Sequence, residues 1–593
     1  MRLLWLTALA ATLVRGDEVA WWPENVRPDP FGEAVRADQG ASRDRPKVTA
    51  LTGSRAGYLS AQVVIRLDRP QPYHLEFRLE DKTGKLQLDV FREWFHFSEW
   101  DKSYYPDALI PIQHPYDSSI PESDNKIAKQ TTQAFWVDIW APADTEPGEY
   151  SVRAILRNGS RGRREARLRL RITDLVTPPE DAVTIDHNSY GSSFLADQYP
   201  RLASPYEDGA FFQSDDFFRL IHSYHRLFYE HRGTFHQLGY GHGGKVGPEF
   251  APALEGSGAN RHVASWDMYD RHYGPLLDGS AFKETRRGAR PIPFVYLPVN
   301  PEWPASFVNW GEPGYDAEFT RVLGEMESHF RKNNWVNTRF EMFFNHKKRY
   351  KAFPWDGDEV RFPDDNAFFK KYGQLLKESI PPDSPVKFVF RADVSWAMER
   401  QFEELKNTVT MWVASGSMLS WMKDAPKLLR DRGEFLWHYS GPPPVTQSAV
   451  SITKQILRTW IWRVNGYVHW LTVNPGPDPW FHFDGGGTTL VYSGDRFGLR
   501  DPIPSIRLKC QRNALQDLAL LQSLRVSRAE VSTAFNGTQP DEWWSQEPER
   551  AHRPPYEWTN PDLEAVSRVV DARLENIDPA AWNRVRELIY QKK

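Results

Sequence analysis

From about residue 20 to 175, apolar and polar positions alternate with a period of two. In residues 133–140 (QAFWVDIW), Phe135, Val137 and Ile139 alternate with Trp136, Asp138 and Trp140. Val152, Ala154 and Leu156 alternate with Arg153, Ile155 and Arg157, and Leu168, Leu170 and Ile172 with Arg167, Arg169 and Arg171. Residues two apart share one face of a strand, so such segments, punctuated by turns like Glu146, Pro147, Gly148 and Glu149, predict an antiparallel β-sandwich. Beyond residue 180 the texture changes, with short apolar runs alternating with helical patterns. Strands are expected at 182–187, 233–240, 291–298, 338–344, 386–392, 408–414, 433–439 and 466–473. Helices are expected between them, for example at 215–229, 315–332, 365–377 and 451–463. Eight strands separated by helices or long loops predict a TIM-like (β/α)₈ barrel.

At 593 residues the chain is too long for one hydrophobic core. The expected organisation is multidomain: a signal peptide at 1–16, the β-sandwich at 17–177, the barrel at 178–525 and a short helical C-terminal tail at 526–593. The first segment is read from Arg2, the apolar run to Val14, and Gly16 near its end. That run is too short to span a bilayer, which takes about 20 residues. A secreted or periplasmic protein is expected, with no membrane partner once the signal is removed. The single cysteine, Cys510, allows no internal disulfide and no cysteine-based zinc cluster.

The net charge of −4 comes without a basic stripe, which argues against nucleic acid. Aromatic residues make up 14% of the chain, and their flat faces suit the C–H patches of sugar rings as well as a large core. Composition alone leaves a carbohydrate partner and a large aromatic core equally open, and carbohydrate is the partner expected from the candidate chemistry below. In a (β/α) barrel the site lies at the C-terminal ends of the strands. Here those ends carry Asp186, His187, Asn188, His242, Asn300, Asn345, His346, Lys347, Asp393, Ser415, His438, Tyr439, His469 and Trp470. Asn345, Lys347, Asp393, Trp396, His242, Tyr439 and Trp470 are the candidate substrate-binding residues, and Trp396, Trp412, Tyr439 and Trp470 the candidate stacking platforms. No His-Glu-x-x-His pair occurs, so neither a metal nor another cofactor is expected.

Glycoside cleavage needs a proton for the leaving oxygen and stabilisation of a cationic transition state. The candidate acids are Asp358 and Glu359, in the loop after the fourth expected strand and flanked by Phe353, Pro354 and Trp355. Directly adjacent carboxyls do not suit the usual two-carboxylate geometries, with separations of about 5–10 Å. They suit a route in which the substrate's 2-acetamido oxygen is the nucleophile, one acid protonating the leaving group and its neighbour orienting the acetamido. Glu359 acting with Asp393 is an alternative pair, for a glycosidase of other sugar specificity. A barrel that binds carbohydrate without cleaving it is the other alternative.

Several segments resemble glycoside hydrolase family 123 and proteins sharing its C-terminal domain. Residues 135–150 (FWVDIWAPADTEPGEY) are similar to a strand pair of the family's N-terminal sandwich, and 266–282 (WDMYDRHYGPLLDGSAF) to a stretch before the third barrel strand. Residues 343–347 (FFNHK), followed by Gly357, Asp358 and Glu359, resemble the fourth-strand segment and its Asp-Glu pair. Residues 489–521, with Leu490 to Gly494, Ser505, Ile506, Arg507, Arg512 and Asp517, are similar to the closing motif. The resemblance implies action on β-linked N-acetylgalactosamine by the substrate-assisted route, with Glu359 as general acid and Asp358 orienting the acetamido group. Val360 stands where the family usually has proline, and a longer loop separates the acids from the strand end.

Overall fold

The computed structural model describes residues 16–591 except 40–45, 159–161, 208, 240–245, 307–310, 349–352, 361, 395–398, 416–418, 420–424, 474–475, 477, 483–486 and 537–579. The signal sequence read at 1–16 therefore lies outside the described residues except for Gly16, as does most of the tail between its helices Arg528–Asn536 and Ala581–Tyr590. The chain divides between Val176 and Thr177 into two compact units.

The first unit is built from ten strands. These are β1 (Glu18–Pro23), β2 (Ala50–Arg55), β3 (Gly57–Arg66), β4 (Gln71–Glu80), β5 (Gln87–Ser98), β6 (Ser103–Ile112), β7 (Tyr116–Ile120), β8 (Thr132–Ala141), β9 (Gly148–Arg157) and β10 (Arg163–Val176). They form two five-stranded sheets, ordered β1-β3-β8-β5-β6 and β2-β10-β9-β4-β7. Phe135, Val137 and Ile139 face Val152, Ala154, Leu156, Leu168, Leu170 and Ile172 in one core, while Arg167, Arg169 and Arg171 stay exposed. Pairing is antiparallel except for β2, which runs parallel to β10. Strand β2 passes straight into β3 of the opposite sheet, so no hairpin ties its direction to its neighbour.

In the second unit, strands β11 (Thr184–Tyr190), β12 (Thr234–Leu238), β15 (Phe294–Tyr296), β16 (Arg339–Met342), β17 (Lys387–Val394), β18 (Met411–Ser415), β19 (Phe435–Ser440) and β20 (Gly466–His469) make one eight-stranded parallel sheet, ordered β12-β11-β20-β19-β18-β17-β16-β15. A small hairpin, β13 (Ala253–Glu255) with β14 (His262–Ser265), interrupts the series. Each expected strand overlaps an observed one. A helix follows every barrel strand, from Asp215–Glu230 after β11 to Ile506–Ser523 after β20. The sheet curls into a nearly closed barrel. Its edge strands β12 and β15 meet through side chains, with the His236 and Tyr296 rings stacked at 3.7 Å and 9°.

Alternation along these strands separates two cores. Phe294, Val389, Met411, Val413, Trp437 and Val468 fill the barrel interior. Their neighbours in sequence, such as Val295, Phe390, Trp412 and Leu436, pack outward against the helices with Phe319, Met326, Phe330, Phe340 and Phe369. The lower barrel is thus solid, as is usual for this architecture. Among the described residues no helix is long and apolar enough to cross a membrane.

Candidate active site

Above the apolar layer the barrel interior turns polar. Arg391, fully buried on β17, sends Nε to Asp393 Oδ1 at 2.8 Å and Nη2 to Asp393 Oδ2 at 3.1 Å, a bidentate pair. Its Nη1 donates to the Tyr296 hydroxyl at 2.6 Å and reaches Glu341 Oε2 at 3.3 Å, with Asp186 Oδ2 3.8 Å away. The Tyr296 oxygen also accepts from Asn188 Nδ2 at 2.8 Å, and His236 Nδ1 lies 2.8 Å from Asp186 Oδ2. Burial, helped by the negative charges of Asp358 and Glu341, pushes Asp393 up to about 6 against the downward pull of Arg391. Glu341 is likewise raised by burial, while the surrounding carboxylates hold Arg391 firmly cationic against its own desolvation.

Asp358 and Glu359 sit over this layer. Residues 353–360 carry the chain away from the end of β16 and back to it. Trp355 anchors the excursion: it is fully buried, parallel to Phe368 at 5.4 Å and edge-on to Phe344 and His346. The Gly357 and Asp358 amides then donate to the His346 carbonyl at 3.1 and 3.2 Å, and the Val360 amide to the Asp393 carbonyl at 3.0 Å. Glu359 and Asp393 form an isolated parallel bridge. The loop thus lies like a short extra strand across the ends of β16 and β17. Gly357 makes this approach possible, since a Cβ there would fall 2.5 Å from His346 Cε1 and 2.6 Å from Phe344 Cβ. The long loop noted in the sequence therefore returns both acids to the strand ends.

Both acids are buried. Lys347 Nζ lies 2.6 Å from Asp358 Oδ2, and the Tyr439 hydroxyl donates to Glu359 Oε1 across a long 3.4 Å. His346 is pushed down to about 3 by burial, against the pull of Asp358 and a hydrogen bond to the Trp355 backbone, so it is neutral here.

Lys347, Asp393 and Tyr439 thus gather around the acid pair, and Asn345 is fully buried at the same strand end. Trp470 follows β20 and is half-buried, edge-on to Tyr190 at 5.0 Å and 88°. Trp412 points outward, fully buried, with its indole N–H on Glu434. It is a core residue, not a stacking face. His242 and Trp396 lie outside the described residues. His187, His438 and His469 also face outward and are held neutral by burial; His187 stacks on Phe228 and on His469. Arg391, Glu341, Tyr296 and His236 were not singled out from the sequence, although Arg391 shares the inward face of Asp393 two residues on. Among the described residues no group of His, Cys, Asp or Glu could hold a metal ion.

The sequence matches no protein-family model and no curated protein. Solved structures match in shape. A family 123 glycoside hydrolase from Clostridium perfringens, studied for glycolipid glycan hydrolysis, aligns with a TM-score of 0.60 at 11% identity, covering 97% of this chain and 100% of that one. The two chains share a fold. A family 5 xyloglucanase from Bacteroides ovatus aligns at TM-score 0.31 and 8% identity, over 79% of this chain and 98% of its own. A family 39 glycoside hydrolase from Bacteroides cellulosilyticus aligns at 0.33 and 10%, over 74% and 80%.

Proposed function

We propose that this chain is a secreted or periplasmic glycoside hydrolase that cleaves β-linked 2-acetamido sugars, N-acetylgalactosaminides in the first place, with retention at the anomeric carbon. The observation that carries this reading is the adjacent pair Asp358 and Glu359, held side by side at the mouth of the barrel by backbone bonds to His346 and Asp393. Neighbouring carboxyls cannot flank a sugar ring from opposite faces. They can serve one substrate from one side, if the substrate supplies its own nucleophile. In this scheme the acetamido oxygen attacks C1 while Glu359 gives its proton to the leaving oxygen. Asp358 accepts a hydrogen bond from the acetamido N–H and stabilises the oxazolinium. Glu359 then takes a proton from the water that opens the ring, and each carboxyl ends as it began. Half-buried Tyr439 and Trp470 offer apolar faces for the sugar, and carbohydrate is the partner. The export assignment rests on the apolar run at residues 3–14.

The shared fold with a family 123 enzyme supports this reading. The alternative pair, Glu359 with Asp393, is disfavoured by geometry. Asp393 lies alongside Glu359, and both of its oxygens are taken by Arg391. A barrel that only binds sugar does not need a carboxyl tuned to hold a proton. A panel of aryl β-glycosides with and without a 2-acetamido group tests the proposal. Hydrolysis confined to the 2-acetamido members, with retained anomeric configuration, is expected; hydrolysis of 2-hydroxy members alone contradicts it.

A further inference from the structure

Two adjacent carboxyls are chemically near-equivalent until something distinguishes them, and substrate assistance requires that one be ionised while the other carries a proton. The structure contains an asymmetry of this kind. Among the described residues, Lys347 Nζ stands 2.6 Å from Asp358 Oδ2, and the Tyr439 hydroxyl donates to Glu359 Oε1 at 3.4 Å. Lys347 is two residues past the Asn345 strand end, and the Asp358 amide returns to the intervening His346 carbonyl. Ammonium and carboxylate are therefore fixed to one another by the backbone as well as by charge. Among the described residues, the titratable and charged groups near the pair include His346 beside Lys347, Asp356 on the loop itself, Asp393 and Arg391 on β17, Glu341 on β16 and Tyr439 on β19. His346 is neutral and Arg391 is committed to Asp393, Glu341 and Tyr296.

We propose that Lys347 is the positioning residue that keeps Asp358 ionised and so leaves the catalytic proton on Glu359. An ammonium in contact with a carboxyl favours its charged form, and a charged Asp358 then disfavours ionisation of the carboxyl next to it. Lys347 need not touch the substrate to do this. The inference rests on the glycosidase reading for its catalytic meaning, but the location of the proton can be tested without turnover.

The test uses the full chain with Lys347→Gln and Lys347→Arg. In the first arm, kcat/KM on an aryl 2-acetamido-β-galactoside is followed against pH. Removing the cation raises the pKa of both neighbouring carboxyls, so Lys347→Gln moves both limbs of the profile upward by about 1–3 pH units, and Lys347→Arg restores the wild-type position. A residue that merely stabilised the loop would lower kcat/KM without moving the limbs, and that result overturns the proposal. The second arm is an infrared titration of the protonated-carboxyl band, assigned by its loss in Glu359→Gln or Asp358→Asn. In wild type the Glu359 band should persist to higher pH than the Asp358 band, and Lys347→Gln should carry the Asp358 band upward. The reverse order in wild type overturns the assignment. An inactive wild type that shows the expected infrared order would sink the glycosidase reading while upholding this role for Lys347.

Discussion

Asp393 carries the sharpest consequence of burial in the site. It is packed between Arg391, which favours its charged form, and a low-dielectric interior with Glu341 and Asp358 nearby, which disfavours it. The interior prevails, and the carboxyl titrates at about 6 against an ordinary value of 3.8. A carboxyl raised on folding contributes stability fully below its unfolded value and loses that contribution as pH rises through the folded value. The unfolding free energy of wild type relative to Asp393→Asn should therefore fall on going from pH 4 to pH 7, by on the order of 2–3 kcal/mol. Paired denaturant titrations would measure it. A difference that stayed level or grew across this range would mean that Arg391 outweighs desolvation.

The loop at 353–360 is the element that carries the proposed acid pair, and its return depends on glycine. Gly357→Ala would press a methyl group against His346 and Phe344, both buried and unable to withdraw far. The expected result is a fall in kcat/KM of at least about tenfold, from acids displaced by a fraction of an ångström, with the helix-backed barrel left intact. Unchanged kinetics would show that the loop tolerates a shifted path. This element also marks what the sequence could and could not convey. Strand positions were legible because period-two alternation is local, and the same alternation separates inward Tyr439 and Trp470 from outward His438 and His469. Arg391 escaped notice because a lone arginine in an apolar strand carries no mark of the three carboxyls it will meet, which come from β11, β16 and its own strand. The return of Asp358 and Glu359 to the strand ends was illegible for a related reason. Its hydrogen bonds go back to His346 and on to Asp393, eleven to thirty-three residues away, and such bonds leave no period in the sequence.

At the scale of the whole molecule, the chain divides between Val176 and Thr177 into two compact units, each with its own apolar core. Units of this kind unfold with separate cooperativity. Calorimetry should resolve two transitions, and Val137→Ala, which opens a cavity only in the sandwich core, should lower one of them while leaving the other in place. A single transition shifted as a whole would contradict two independent units. The account as a whole stands on the division of labour between Asp358 and Glu359, and one comparison tests it most directly: kcat/KM of Glu359→Gln and Asp358→Asn on 2-acetamido glycosides with good and poor leaving groups. Glu359→Gln should spare activated aryl glycosides and lose about 10²–10⁴-fold on alkyl or sugar leaving groups, because only those need the proton. Asp358→Asn should lose activity on both, since the acetamido nucleophile is misplaced whatever departs. If both variants kept full activity on both substrate types, the acid pair would not be the catalytic one and the central claim would be wrong.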